Sequence, residues 1–214
     1  MPSDFAFEGT TVSIQYFVEH LATAVAAISG SRAARGKQID LFGILVLALV
    51  TAVGGGTLRD VILDPRHVFW VEDASYVITS SVAALLLFIA ARFWRIPEKF
   101  LLFADAGSLA LFTALGVNKA LAIAGSPVVA VTMGVMTGVA GGMIRDVLTG
   151  EIPLVFRRQI NLYATASLCG ATVFAVLHHR IESSIVWSLA IATTLLLRLA
   201  AIQWEIRLPL FIAK

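Results

Sequence analysis

Apolar residues fill most of this chain in runs of about 20, the length a helix needs to cross the hydrocarbon of a bilayer. Seven such runs stand out, at about 11–30, 39–62, 74–94, 100–118, 126–149, 160–178 and 183–202. Short polar links separate them. These links hold Arg32, Arg35 and Lys37; then Asp64, Pro65, Arg66 and His67; then Arg92, Arg95, Pro97 and Lys99. Later links carry Lys119, the segment Glu151 to Arg158, and the segment His178 to Glu182. The pattern predicts an all-α membrane protein of seven transmembrane helices, one domain over residues 1–214.

Composition agrees with that reading. Of 214 residues, 58% are hydrophobic and 14% charged, and the mean hydropathy is +0.88. A soluble domain carries about 25% charged residues, so these charges are too few to coat a globule in water. The net charge of +2 and the absence of a basic run argue against nucleic-acid binding. Met1 to Thr10 contains Asp4 and Glu8 but no basic residue. A signal peptide starts with positive charge, so the first apolar run is expected to remain as a helix. Cys169 stands alone in an apolar stretch and reads as packing. No Ser/His/Asp set, Cys/His cluster or metal-ligand spacing appears, so neither an enzyme nor a metal or cofactor site is expected.

An odd number of spans puts the two ends on opposite sides of the membrane. With the first link in the cytoplasm, that side collects Arg32, Arg35, Lys37, Arg92, Arg95, Lys99, Arg145, Arg157, Arg158, Arg198, Arg207 and Lys214. The other side receives only Arg59, Arg66, Lys119 and Arg180. The positive-inside rule then places the N-terminus outside and the C-terminus in the cytoplasm. Trp70, Trp94, Trp187 and Trp204 fall near predicted span ends, as an interfacial belt would. Ordinary core tryptophans are the alternative.

The chain also repeats itself. Gly54-Gly55-Gly56-Thr57-Leu58-Arg59-Asp60-Val61 recurs 86 residues later as Ala140-Gly141-Gly142-Met143-Ile144-Arg145-Asp146-Val147. At the same offset Glu19 falls on Asp105, Gly30 on Gly116, and Thr51 on Thr137. Ala48, Ala52 and Gly56 fall on Gly134, Gly138 and Gly142, and with one residue of slip Tyr76 meets Tyr163. The repeats therefore cover about 11–94 and 100–178, and the span at 183–202 has no partner. A three-span unit ends opposite its start, so consecutive copies must be inverted, an arrangement typical of transport proteins.

Several positions in the repeat are candidates for function. The stripes of small residues at four-residue spacing suit close helix packing in lipid. Consecutive glycines also invite a kink, and backbone freed at a kink must face protein or water. Arg59-Asp60 and Arg145-Asp146 fit two roles: an ion pair that caps a helix end, or the charged mouth of a pore. The carboxylates of Glu19 and Asp105 lie within spans and are pathway candidates by default. They have Arg59 or Arg145 available as partners, or a permeating cation. His20 beside Glu19 suits a proton-responsive site or plain packing. The hydroxyls of Thr51 and Thr137 either line a pathway or bond back to their own helix. The glycines do not make a phosphate cradle, since no Lys-Ser/Thr follows them. Pro153, Arg157 and Arg158 suit lipid headgroup contact or topology control.

The doubled motif, together with Asp40-Leu41-Phe42-Gly43, Gly138 and Gly150-Glu151-Ile152-Pro153, resembles the prokaryotic branch of the trimeric intracellular cation (TRIC) channels. The resemblance runs from about residue 12 to 202. Bacterial members are often catalogued as glycine transporters. The resemblance implies two inverted three-helix repeats plus one helix, in a homotrimer of the inner (plasma) membrane of a bacterium or archaeon. It implies one pore per protomer, passing potassium and other monovalent cations, with lipid bound between protomers. By motif, Gly54, Gly55, Gly56, Gly141 and Gly142 would be kink residues of the second and fifth spans. Arg59, Asp60, Arg145 and Asp146 would be the adjoining charged residues. Ala140 departs from the first glycine of the motif, which puts equal mobility of the two kinks in doubt. Animal members carry a basic lipid-linked motif in the second helix, where this chain has Gly-Gly-Gly, so phosphoinositide binding does not carry over. The competing readings are a secondary transporter of glycine or another small solute, and a scaffolding membrane protein.

Overall fold

The computed structural model describes residues 4–64, 66–97, 99–157, 162–204 and 206, with side chains described from residue 15 onward. Pro65, Arg158, Arg207 and Lys214, which entered the link and orientation readings, lie outside the described residues.

Among the described residues eight α-helices follow in order: α1 (Asp4–Ala33), α2 (Leu41–Leu63), α3 (Phe69–Glu72), α4 (Ser75–Phe93), α5 (Phe100–Ala124), α6 (Pro127–Leu148), α7 (Tyr163–Leu177) and α8 (Ser183–Trp204). A 3₁₀ turn, Leu154–Phe156, lies between α6 and α7, and no strand occurs among the described residues. Local chemistry sets the helix ends. The Asp40 carboxylate accepts the Gly43 N–H at 2.8 Å and caps α2. Pro127 opens α6, where its missing N–H is not needed. Gly125 closes α5 in the left-handed region at φ 65°, a conformation that disfavours a side chain.

The count differs from the seven expected spans. Each expected run coincides with a helix, but the link after α2 folds into α3, a single turn too short to detect by periodicity. Among the described residues α2, α4, α5, α6 and α8 are both long and apolar enough to cross a membrane by themselves. α7 has 15 residues, about 22 Å at 1.5 Å per residue, which is short of the hydrocarbon thickness. α1 is long enough, but Gln15, Glu19 and His20 lower its apolarity.

α5 lies at the centre and packs on α1, α2, α6, α7 and α8. Two thirds of its most apolar window is buried, against 22% for α4, which forms an outer wall. The core is dominated by alanine, including Ala22, Ala26, Ala48, Ala52, Ala110, Ala114 and Ala130. Small residues suit a fold in lipid, where close backbone approach replaces hydrophobic collapse as the source of packing energy. Two of the four tryptophans sit as a belt would: Trp94 and Trp204 are each 72% exposed. Trp187 is instead a core residue, its ring 5.3 Å from that of Phe174. The Trp70 indole N–H is bonded to the Thr57 hydroxyl.

α7 and α8 touch at Gly170, where an added Cβ would collide with Thr194 Oγ1 and lie 2.7 Å from Ala190 O. At Gly107 the same atom would meet only a Val25 methyl at 3.4 Å. Gly170→Ala is therefore expected to destabilise the folded protein by about 1–3 kcal/mol through overpacking, while Gly107→Ala stays within about 0.5 kcal/mol. Equilibrium unfolding in detergent checks the contrast.

Candidate ion pathway at a helix crossing

α2 and α6 cross at their glycines. A Cβ on Gly55 would collide with Thr137 O and lie 3.5 Å from Gly141 N. A Cβ on Gly141 would collide with Thr51 O and lie 3.7 Å from Gly55 N. The contacts are reciprocal at the 86-residue offset. As the residue number rises along one helix it falls along the other, so the helices run antiparallel. Both remain α-helical through the glycine runs. Glycine is required here because two backbones meet with no room for a methyl between them.

The repeat persists in what flanks the crossing. A Cβ on Gly30 would sit 2.6 Å from Leu47 O and 2.9 Å from Ala48 Cα. A Cβ on Gly116 would sit 2.9 Å from Met133 O and 2.8 Å from Gly134 Cα. Thus α1 lies on α2 as α5 lies on α6. The Thr51 hydroxyl donates to Leu47 O at 2.5 Å and that of Thr137 to Met133 O at 2.6 Å, so both bond back to their own helices.

Each motif ends in a buried ion cluster. In the first, Asp60 accepts from Arg59 Nε at 2.7 Å, from Lys119 Nζ at 2.9 Å and from the Phe69 N–H at 3.0 Å. Arg59 lies 5.7 Å from the centre of the Phe69 ring, which also rests on Gly56. In the second, Asp146 accepts from Arg145 Nε at 2.8 Å and from the Leu154 N–H at 2.8 Å. Arg145 also donates to Asp105 Oδ1 at 2.8 Å and to the Ser29 hydroxyl. The Arg198 guanidinium lies 4.6 Å over the ring of Tyr163. Each aspartate thus holds its own arginine and ties down the next helical turn, α3 in one copy and the 3₁₀ turn in the other. Such buried pairs persist where hydrogen bonds offset the cost of desolvation. Since the crossing helices are antiparallel, the clusters lie on opposite sides of it.

The structure separates the other two candidate carboxylates. Asp105 joins the Arg145 cluster. Glu19 forms no ion pair with an arginine among the described residues and accepts from Tyr76 and Gln15 instead. His20 is bonded to the Ser75 hydroxyl at 2.9 Å, and its ring lies tilted 4.3 Å from that of Tyr16 and 4.4 Å from that of Tyr76. Sequence reasoning missed Lys119, which it left in a link, and gave Arg198 only a place in the charge count and Tyr163 only a place in the repeat. A charged residue in the middle of an apolar run such as Arg198 was the available signal. Among the described residues no group of His, Cys, Asp and Glu is placed to hold a metal ion.

On the face where α1 ends, a cavity of about 210 Å³ reaches Asp146, with Arg32, Arg35, Lys37, Thr149 and Arg157 on its walls. Glu151 spans its rim, accepting Lys37 Nζ at 2.6 Å and Arg157 Nη2 at 3.2 Å.

A family model described as Glycine transporter matches this chain twice, at residues 16–92 and 102–179. The inner membrane protein YadS of Escherichia coli (strain K12) is 44% identical over 199 residues, covering 92% of this chain and 95% of the relative. A crystal structure of the TRIC trimeric intracellular cation channel orthologue from Rhodobacter sphaeroides superposes with a TM-score of 0.85 at 34% identity, covering 91% of this chain and all of that one. A second TRIC structure, solved to explain conductance through these cation channels, gives 0.82 at 31% identity, covering 92% of this chain and 97% of that one.

Two outcomes follow from this geometry. Arg145→Met leaves Asp105 and Asp146 without their shared cation and is expected to destabilise the fold by about 3–5 kcal/mol. Lys119→Met leaves Arg59 on Asp60 and should lower stability less. Equilibrium unfolding in detergent measures both. The second outcome concerns pH. Hydrogen bonding to Lys37 holds the Glu151 carboxyl below its ordinary value. Its contribution is therefore present above the ordinary glutamate range and lost as pH falls through the depressed value. The native protein should be more stable than Glu151→Gln at neutral pH, and thermal unfolding should show that gap closing below about pH 4.

Proposed function

We infer function from one premise: this chain belongs to the family described as Glycine transporter, which is the TRIC cation channel family under another name. On that premise we propose a potassium-permeable monovalent cation channel of the bacterial inner membrane, assembled as a homotrimer with one pore in each protomer. The observation that carries the reading is the reciprocal crossing of α2 and α6, where bare backbone meets bare backbone between two buried ion clusters. The crossing is the closed constriction. Bending at Gly54–Gly56 and at Gly141 and Gly142 separates the helices and exposes Thr51 O and Thr137 O to a permeating cation. Backbone carbonyls replace a cation's hydration shell in this way in other pores. Arg59, Asp60, Arg145 and Asp146 anchor the two mouths and set the field there, while Glu19 and Asp105 stand beside the pathway.

The same geometry supports the proposed architecture. Equivalent helices that cross antiparallel are what two inverted three-helix units produce. The units are α1, α2 and α4, then α5, α6 and α7, with α8 added and α3 lying in a link. The orientation has the N-terminus outside. Arg59, Arg145 and Arg198 are buried in the protein and drop out of the charge count, yet the excess on the face where α1 ends survives their removal.

The family description favours a second reading, a secondary transporter of glycine or another small solute, because inverted repeats also serve alternating access. Liposome flux separates the two. Potassium flux down its gradient is expected from the native protein. It should be lost in Gly55→Leu/Gly141→Leu protein that retains its folded elution, because isobutyl groups fill the gap the helices must open. Saturable glycine uptake without potassium flux would decide for the transporter.

A further inference from the structure

On the face where α1 ends, a second cavity of about 490 Å³ lies outside the α2–α6 pathway. The end of α1, the start of α2 and the end of α4 bound it. Four arginines line it, Arg32, Arg35, Arg92 and Arg95, and none of its described lining residues is acidic. Arg35 donates to Ile96 O at 2.9 Å and Arg32 to Pro97 O at 3.4 Å. These bonds tie the link after α4 to the end of α1 and give the pocket a fixed wall. Arg92 and Arg95 are exposed and make no ion pair among the described residues. The remaining wall is apolar and aromatic, with Leu87, Phe88, Phe93 and Trp94.

That apolar wall does not end at the pocket. It continues onto outward faces of α4 and α2 where Leu86, Ile89, Phe93 and Phe42 are 63%, 52%, 74% and 74% exposed. In an α-helical membrane protein these faces meet acyl chains. A soluble anion would be matched by the arginines alone, whereas this site joins four guanidiniums to a lipid-facing apolar surface, with Trp94 at the boundary between them. Guanidinium groups bind phosphate oxygens through paired N–H donors, and basic pockets between membrane helices hold anionic headgroups.

We propose that this pocket binds the phosphate of an anionic phospholipid from the adjoining leaflet, with the acyl chains lying along the exposed faces of α2 and α4. The site is independent of the pore. By holding the α4 end and the α1 end together, the lipid stabilises the outer wall of the protomer.

Native mass spectrometry of the purified protein, offered phosphatidylglycerol or phosphatidylcholine, tests this. The native protein should retain phosphatidylglycerol in preference to phosphatidylcholine. Arg92→Gln/Arg95→Gln should reduce that retention on the order of tenfold, while Arg92→Lys/Arg95→Lys, which keeps the charge, loses less and Arg180→Gln, in the link after α7, keeps it. Retention by the native protein should also fall as salt is raised, a readout that needs no variant. Equal retention of both lipids, or retention untouched by the Gln pair and by salt, overturns the proposal. Displacement of the lipid by glycerol 3-phosphate at equal concentration also overturns it, because the site then reads phosphate alone.

Discussion

The backbone contact between α2 and α6 fixes most of what surrounds it. Two helices can touch without intervening side chains only where neither bears a Cβ, and Gly55 and Gly141 supply those positions. Contact this close leaves the crossing itself narrow, with no room for a charged side chain. Charged residues of the same helices must therefore lie beyond it, and Arg59-Asp60 and Arg145-Asp146 follow within a turn or so. Because the helices are antiparallel, one sequence motif used twice places its charges on two opposite sides. A single local rule, repeated, thus generates a waist with a charged cluster above and below.

Burying those charges imposes the second constraint. A desolvated arginine or aspartate is tolerated only when its hydrogen-bonding groups are matched. Asp60 and Asp146 meet this need with an arginine from their own helix and a backbone N–H from the next short turn. The links are consequently held against the helix ends and cannot move independently of them. In the proposed mechanism this coupling matters: a helix that bends at its glycines carries its ion cluster and its link along. The copies have diverged, however. Arg145 reaches Asp105, whereas Arg59 faces Phe69 and Glu19 turns to Tyr76. The two halves therefore need not open with equal ease, which is also what Ala140 in place of a motif glycine suggests.

Much of this was legible in the sequence because the bilayer restricts the solutions. Apolar run length located every long helix, and the offset of 86 identified Gly55 with Gly141 and Thr51 with Thr137 before any contact was known. What spacing does not encode is the choice of partner between distant segments. Lys119 looked like a link residue because it lies near the end of α5, yet it folds back onto Asp60. Trp187 sits near a span end like the belt tryptophans, but Phe174 draws it into the core. α3 escaped notice because one turn has no period. The match of Glu19 with Asp105 was real in register and misleading in partner: Asp105 meets Arg145, while Glu19 accepts from Tyr76.

Current through the native protein in planar bilayers tests the central claim, that this helix crossing opens as a cation pore, most directly. In asymmetric potassium chloride the account predicts discrete unitary steps whose reversal lies near the potassium equilibrium potential. Folded protein shown to be incorporated in the bilayer, yet electrically silent across the full voltage range, would contradict it.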